Sequence, residues 1–181
     1  MNPIEERERQ LKSIVADKIP MMRMEGFNFL ISKRFCEAPA STKYHGNYAG
    51  GLFDHSIRVA KYLEELTDKL WLEWERPESP VIIGLLHDLC KIDQYKYDRD
   101  KSCYVYNNEP TVKGHGVKSV IYIQRYCGIT LTDEEIACIL YHMGAFTDKE
   151  EWGDYTAAVH KYPNVLWTHT ADMWASHIDN T

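Results

Sequence analysis

The stretch Gly84-Leu85-Leu86-His87-Asp88-Leu89-Cys90-Lys91-Ile92 sets an adjacent imidazole and carboxylate into an apolar run. Lys91 follows three residues after Asp88. Burying two polar groups in such a run costs desolvation, and a bound cation would offset that cost. Nitrogen and oxygen donors side by side suit borderline divalent metals. Taken alone, the stretch reads equally well as a helix end that carries two polar residues.

Upstream of it, Val81 to Cys90 reads as a short, nearly all-apolar helix, buried on most sides. Two prolines in Arg76 to Pro80 break it from a long helix over Leu52 to Trp74. The stripe of that long helix is Leu52, Ile57, Val59, Ala60, Leu63, Leu66 and Leu70, and His55 sits in its first turn. A lone histidine there is more often structural than a ligand. Glu37 to Gly51 has a loop composition and holds Lys43, Tyr44, His45 and Tyr48. It reads either as an anion-binding loop or as a surface loop with aromatic anchors. Residues 3 to 19 read as an amphipathic helix stopped by Pro20. Met22 to Phe35 is apolar, and its type, helix or extended, stays open.

Downstream, Tyr95 to Tyr106 alternates around a turn at Asp98 to Ser102 and predicts a small β-hairpin beside the site. Gly114-His115-Gly116 opens a helix to about Cys127, with Val120, Ile121 and Ile123 as its core. Thr132 starts the next helix, which ends at His142-Met143-Gly144. Phe146 to Gly153 reads as a charged loop and Ala157 to Lys161 as a short helix. Pro163 opens the last helix, where His169 and Asp172 share a face. His160 and His177 read as histidines outside the site.

The chain of 181 residues is long enough for one domain with a sizeable core. Hydrophobic residues make up 44% and charged residues 27%, as in ordinary soluble proteins. A net charge of -6 argues against broad duplex nucleic-acid binding. No segment reads as a signal peptide or membrane span, so no membrane partner is expected. The five scattered cysteines contain no CxxC pair and suggest neither a cysteine zinc site nor a disulfide framework. A reducing, cytoplasmic location is expected.

Six polar residues interrupt the apolar helices: His55, His87, Asp88, His115, His142 and Asp172. Gaps of 32, 27, 27 and 30 residues put one ligand or ligand pair on each successive helix. A helical bundle gathers such residues at one point. Six candidates suffice for two metals if Asp88 bridges them. Two metals about 3.5 to 4 Å apart would share a hydroxide and clamp a phosphoryl group. Lys91, one turn beyond Asp88, would face the same centre and steady charge on phosphate.

The order His55, His87-Asp88, Asp172 resembles the HD-domain superfamily of metal-dependent phosphohydrolases, over about Pro39 to Ser176. His87-Asp88-Leu89-Cys90-Lys91 is similar to the HDxxK variant, and His115 and His142 resemble the extra histidines of members with a second metal. Ser41 to Tyr48, Gly50 to Ser56 and His169-Thr170-Ala171-Asp172 resemble the HD domain of a bacterial 3′–5′ exoribonuclease family. That family often has two adjacent histidines where this chain has His142-Met143. It also carries an N-terminal OB domain, for which the residues before His55 are too few, so processive exonuclease action is not expected.

The resemblance implies an all-α bundle of roughly six to nine helices, with residues 37–176 as the HD core and 1–36 as a helical extension. It implies His55, His87, Asp88 and Asp172 on one divalent metal and Asp88, His115 and His142 on a second. Asp88 and Lys91 would be catalytic, and Lys43, His45 and His169 would bind substrate. The metals would be Mn, Fe, Co, Ni or Zn, one or two per chain. The expected reaction is hydrolysis of a phosphomonoester or phosphodiester by a metal-bound hydroxide, with a nucleotide or short oligonucleotide as substrate. Two further classes stay open: an HD-fold nucleotide sensor without turnover, and a di-iron HD oxygenase.

Overall fold

The computed structural model describes residues 2–110, 112–146 and 148–178, and it is an all-α bundle with one small hairpin. Helix α1 (Pro3–Lys18) begins at a capping box, in which Asn2 Oδ1 accepts from the Ile4 amide and Glu5 accepts from the Asn2 amide. It buries Leu11 and Val15. The segment left open by the sequence is helical, α2 (Met24–Ser32). Gly26 lies against the Cys127 backbone there, where a Cβ would sit 2.5 Å from the carbonyl oxygen. Phe29 stacks on Tyr126 at 4.7 Å.

Helices α3 (Gly51–Leu70) and α4 (Ser79–Leu86) form the centre. They cross at Gly84, where a Cβ would come within 2.3 Å of Ala60 Cα. Every residue of α4 is buried, so an almost continuous apolar sequence is what that position requires. The stripe of α3 is deep at Leu52, Val59 and Leu63 but surfaces at Leu70, which is 43% exposed. A 3₁₀ turn (Leu89–Ile92) leads into strands β1 (Tyr95–Asp98) and β2 (Cys103–Tyr106). They pair antiparallel with Tyr95 opposite Tyr106 and Tyr97 opposite Tyr104. Asp98 holds the turn by accepting from the amides of Asp100 and Lys101.

Helix α5 (Gly116–Tyr122) continues as a π turn to Cys127 and stops at Gly128, in the left-handed region. Ile121, expected in its core, is 37% exposed, because the face toward the bundle is taken by Ser119, Tyr122 and Ile123. Helix α6 (Asp133–Tyr141) starts with a Thr132/Glu135 capping box. Glu135 is fully buried and accepts from Arg76 through two nitrogens and from Ser79. That pairing satisfies an otherwise costly charge and ties the 71–78 connection to α6. Helix α7 (Trp152–Lys161) begins five residues earlier than expected, inside the segment read as a charged loop. Helix α8 (Asn164–Met173) runs into a π turn (Trp174–Ile178). No helix among the described residues is long and apolar enough to cross a membrane.

Candidate metal centre

His55 comes from the first turn of α3, and His87 and Asp88 from the end of α4. His115 precedes α5, His142 ends α6, and Asp172 lies in the last turn of α8. The close α3–α4 crossing at Gly84 leaves the His55 and His87 rings 5.3 Å apart. His87 Nδ1 donates to the Gly84 carbonyl at 2.9 Å, and His142 Nδ1 donates to the Ile139 carbonyl at 2.7 Å. Each bond fixes the tautomer and leaves Nε2 as the free lone pair facing inward.

The donor atoms form two groups around one carboxylate. In the first, His55 Nε2 lies 3.3 Å from His87 Nε2 and 3.1 Å from Asp172 Oδ1. Asp88 Oδ2 stands 3.6 Å from His55 Nε2 and 3.5 Å from His87 Nε2. In the second, His115 Nε2 and His142 Nε2 are 3.1 Å apart, and Asp88 Oδ1 is 3.0 and 3.7 Å from them. Asp88 thus turns one oxygen to each group. Lys91 Nζ holds Oδ2 from the cavity side at 2.6 Å.

The centre is largely buried: His55 and Asp88 are 2% exposed and His87 is fully buried. Asp88 Oδ1 and His55 Nδ1 are buried without a hydrogen-bond partner among the described residues. Imidazole lone pairs that converge at 3.1 to 3.3 Å, beside an unsatisfied carboxylate oxygen, repel one another unless a cation lies between them. The residues therefore fit divalent metal. Three triads have all donor atoms within 4.8 Å: His55, His87 and Asp172; His87, Asp88 and His142; and Asp88, Cys90 and His115.

Charge is arranged to match. Burial keeps His55 and His115 below the ordinary histidine value, hence neutral and able to bind metal. Burial opposes charge on His87 as well, but Asp88 and Asp172 outweigh it and raise its pKa. Burial alone would raise Asp88, yet Lys91 and His87 hold it well below the usual carboxylate range. Asp172 is likewise lowered, against burial, by its bond to His55. Lys91 stays charged because its pairing with Asp88 outweighs its burial.

A cavity of about 1170 Å³ opens above the centre, with Asp88, Lys91, His115 and Asp172 at its floor. His45 is on its wall, with the ring 4.9 Å from that of His55 and a buried Nε2 that has no hydrogen-bond partner. Burial, reinforced by His55, pushes its pKa down to about 4. The loop is shaped by Ser41 Oγ, which accepts from the Tyr44 amide and donates to the His45 carbonyl.

Two expected substrate contacts are placed elsewhere. Lys43 is exposed and is not part of the cavity wall, which Tyr44 and His45 occupy instead. His169 lies behind the wall: its Nδ1 donates to the His142 carbonyl at 2.8 Å and its ring packs under Gly144. It braces the backbone of a candidate ligand and is not among the residues that line the cavity. Conversely, His177, read as outside the site, lines the cavity. Cys90, in the apolar run that carries His87 and Asp88, has its sulfur 3.2 Å from His115 Nδ1. Of the hairpin tyrosines, Tyr95 and Tyr106 line the cavity, while Tyr97 and Tyr104 do not. Asp148, Glu151 and Asp154 also line it, and no sequence signal set them apart from an ordinary charged loop.

The family model of the HD domain matches residues 52–171, more than half of the chain. Comparison with the curated proteins gave no match, and comparison with the solved structures gave none either.

Proposed function

The chain belongs to the HD-domain family, and from that premise we propose that it is a metal-dependent phosphohydrolase acting on a nucleotide-sized phosphate ester. The observation that carries the reading is Asp88, whose two oxygens face separate histidine groups while Lys91 stands at the floor of the cavity. In this reading His55, His87, Asp88 and Asp172 hold one metal, and Asp88, His115 and His142 hold a second, drawn from Mn, Fe, Co, Ni or Zn. When bound, such a pair supplies an activated water and Lewis-acid charge for cleavage at phosphorus.

The protein's own groups do the rest. Lys91 keeps Asp88 ionised and presents a cation toward a phosphate oxygen, where charge builds as the ester bond breaks. The apolar shell of α4 keeps bulk water from the buried ligands. His45, neutral on the wall, offers a ring nitrogen to the far side of the phosphate. Water adds to phosphorus and the ester oxygen leaves with a proton; a monoester gives alcohol and phosphate, and a diester gives alcohol and a phosphomonoester. Residues 37–176 constitute the catalytic body and 1–36 a helical extension. The free cysteines suit a reducing cytoplasm.

The test is turnover of p-nitrophenyl phosphate and bis(p-nitrophenyl) phosphate by the Mn-reconstituted protein and by Lys91→Ala. We expect hydrolysis by the parent and a loss of about 10²-fold in kcat/KM for the variant, with metal content kept. No turnover with any of the five metals, alongside tight nucleotide binding, would put a sensor module in its place.

A further inference from the structure

The lining of the cavity above the metal centre carries groups of opposite charge. At the floor, Asp88 is 2% exposed, lines the cavity and has an oxygen without a hydrogen-bond partner among the described residues. That orphan acceptor, with the converging imidazoles, requires positive charge at the floor. Lys91 adds one more cation there, and it is the sole lysine or arginine among the described residues that line the cavity.

Another part of the lining is acidic. Asp148, Glu151 and Asp154 are exposed to the cavity, from the 3₁₀ turn Lys149–Glu151 and the first turn of α7. Their carboxylates have no ion-pair partner among the described residues, and Lys149 on the same turn is not part of the lining. These carboxylates share the lining with Tyr141, the residue before His142. After burial, the fields of Asp154 and Glu151 are what raise its phenol pKa. Aromatic faces from Tyr44, Tyr95, Tyr106 and Phe146 complete the lining. Such faces accept an ammonium group well and a second anion poorly.

A positive floor and an unpaired negative wall in one cavity complement a ligand with opposite charges at its two ends. We propose that the substrate is a zwitterionic phosphate ester, with its phosphate at the metal end and an ammonium group against Asp148, Glu151 and Asp154. The proposal rests on the phosphohydrolase reading and narrows it. Oligonucleotides fit worst, because each further phosphate would meet the carboxylate wall. A mononucleotide gains nothing there.

Equilibrium binding of three non-hydrolysable phosphonates to the Mn-loaded protein tests this: 3-aminopropylphosphonate, propylphosphonate and 3-phosphonopropionate. We expect the amine to bind on the order of tenfold tighter than the neutral compound, with the carboxylate weakest and the order compressed by salt. Asp148→Asn with Glu151→Gln and Asp154→Asn should erase the order. Glu151→Lys with Asp154→Lys should invert it. All these positions are exposed, and circular dichroism checks that each variant is folded. Equal affinities in the parent, tighter binding of an anionic compound or a mononucleotide, or an order that survives neutralisation overturns the proposal. If p-nitrophenyl phosphate is hydrolysed while the charge order is absent, this proposal alone fails. If no phosphonate binds and no ester is hydrolysed, the phosphohydrolase reading fails and takes this one with it.

Discussion

Asp88 places its two oxygens on different histidine groups, so one side chain couples two clusters that come from five separate elements. For His87, His115 and His142, the ring nitrogen that does not face Asp88 has its own partner. For His87 and His142 this is a backbone carbonyl, and for His115 it is the sulfur of Cys90. Burial raises the Cys90 thiol to about 12, so it stays protonated and acts as a partner rather than a nucleophile. Groups behind a metal ligand commonly tune affinity by ten- to a hundredfold. We therefore expect Cys90→Ala to weaken the His115/His142 site by about tenfold or more, with the His55/His87/Asp172 site unchanged and Cys90→Ser closer to the parent. Stepwise Mn titration reads this directly, and equal weakening of both steps would show a general packing loss instead. The six ligand candidates were readable because each polar residue interrupts an apolar run. Cys90 was not, because a buried cysteine among leucines carries the same signature as core filler.

The elements are arranged so that α3 and α4 approach closely enough to juxtapose His55 and His87. The approach depends on Gly84, whose missing Cβ leaves room for the Ala60 backbone at 2.3 Å. Backbone cannot yield as a flexible side chain can. Gly84→Ala should cost about 1–3 kcal/mol or more by overpacking, or roughly 2–4 °C of Tm for each kcal/mol in a chain of this size. Thermal unfolding checks it, and an unchanged Tm would show that the crossing is looser than described. Helix α3 was legible from its periodic stripe, α4 from its continuous apolar run, and the hairpin from its alternating tyrosines. The start of α7 was not. That helix buries no residue fully and rests only Tyr155, Ala158 and Val159 on the core, so its pattern is too thin to separate from a charged loop. The type of α2 was equally hidden, because its helical fit depends on Gly26 meeting the Cys127 backbone, a contact made only in the folded chain.

At the scale of the molecule, the bundle gathers candidate ligands spaced about thirty residues apart into one buried centre and leaves a cavity above it. The candidate ligands stood out through order and spacing. The cavity did not, because its walls are assembled from the 40–45 loop, the hairpin and the chain after α6, and no local pattern records their meeting. Lys43 and His169 show the limit: both lie beside true lining residues, yet one turns to solvent and the other braces His142. Across these scales the central claim is that Asp88 joins two metal sites in one chain. The measurement that tests it most directly is metal content per chain, on parent and Asp88→Ala protein purified without chelator and reconstituted with Mn. Two metals per parent chain, both lost or severely weakened in the variant, is the expected result. No metal in the parent after reconstitution, or the same content in both proteins, would contradict it.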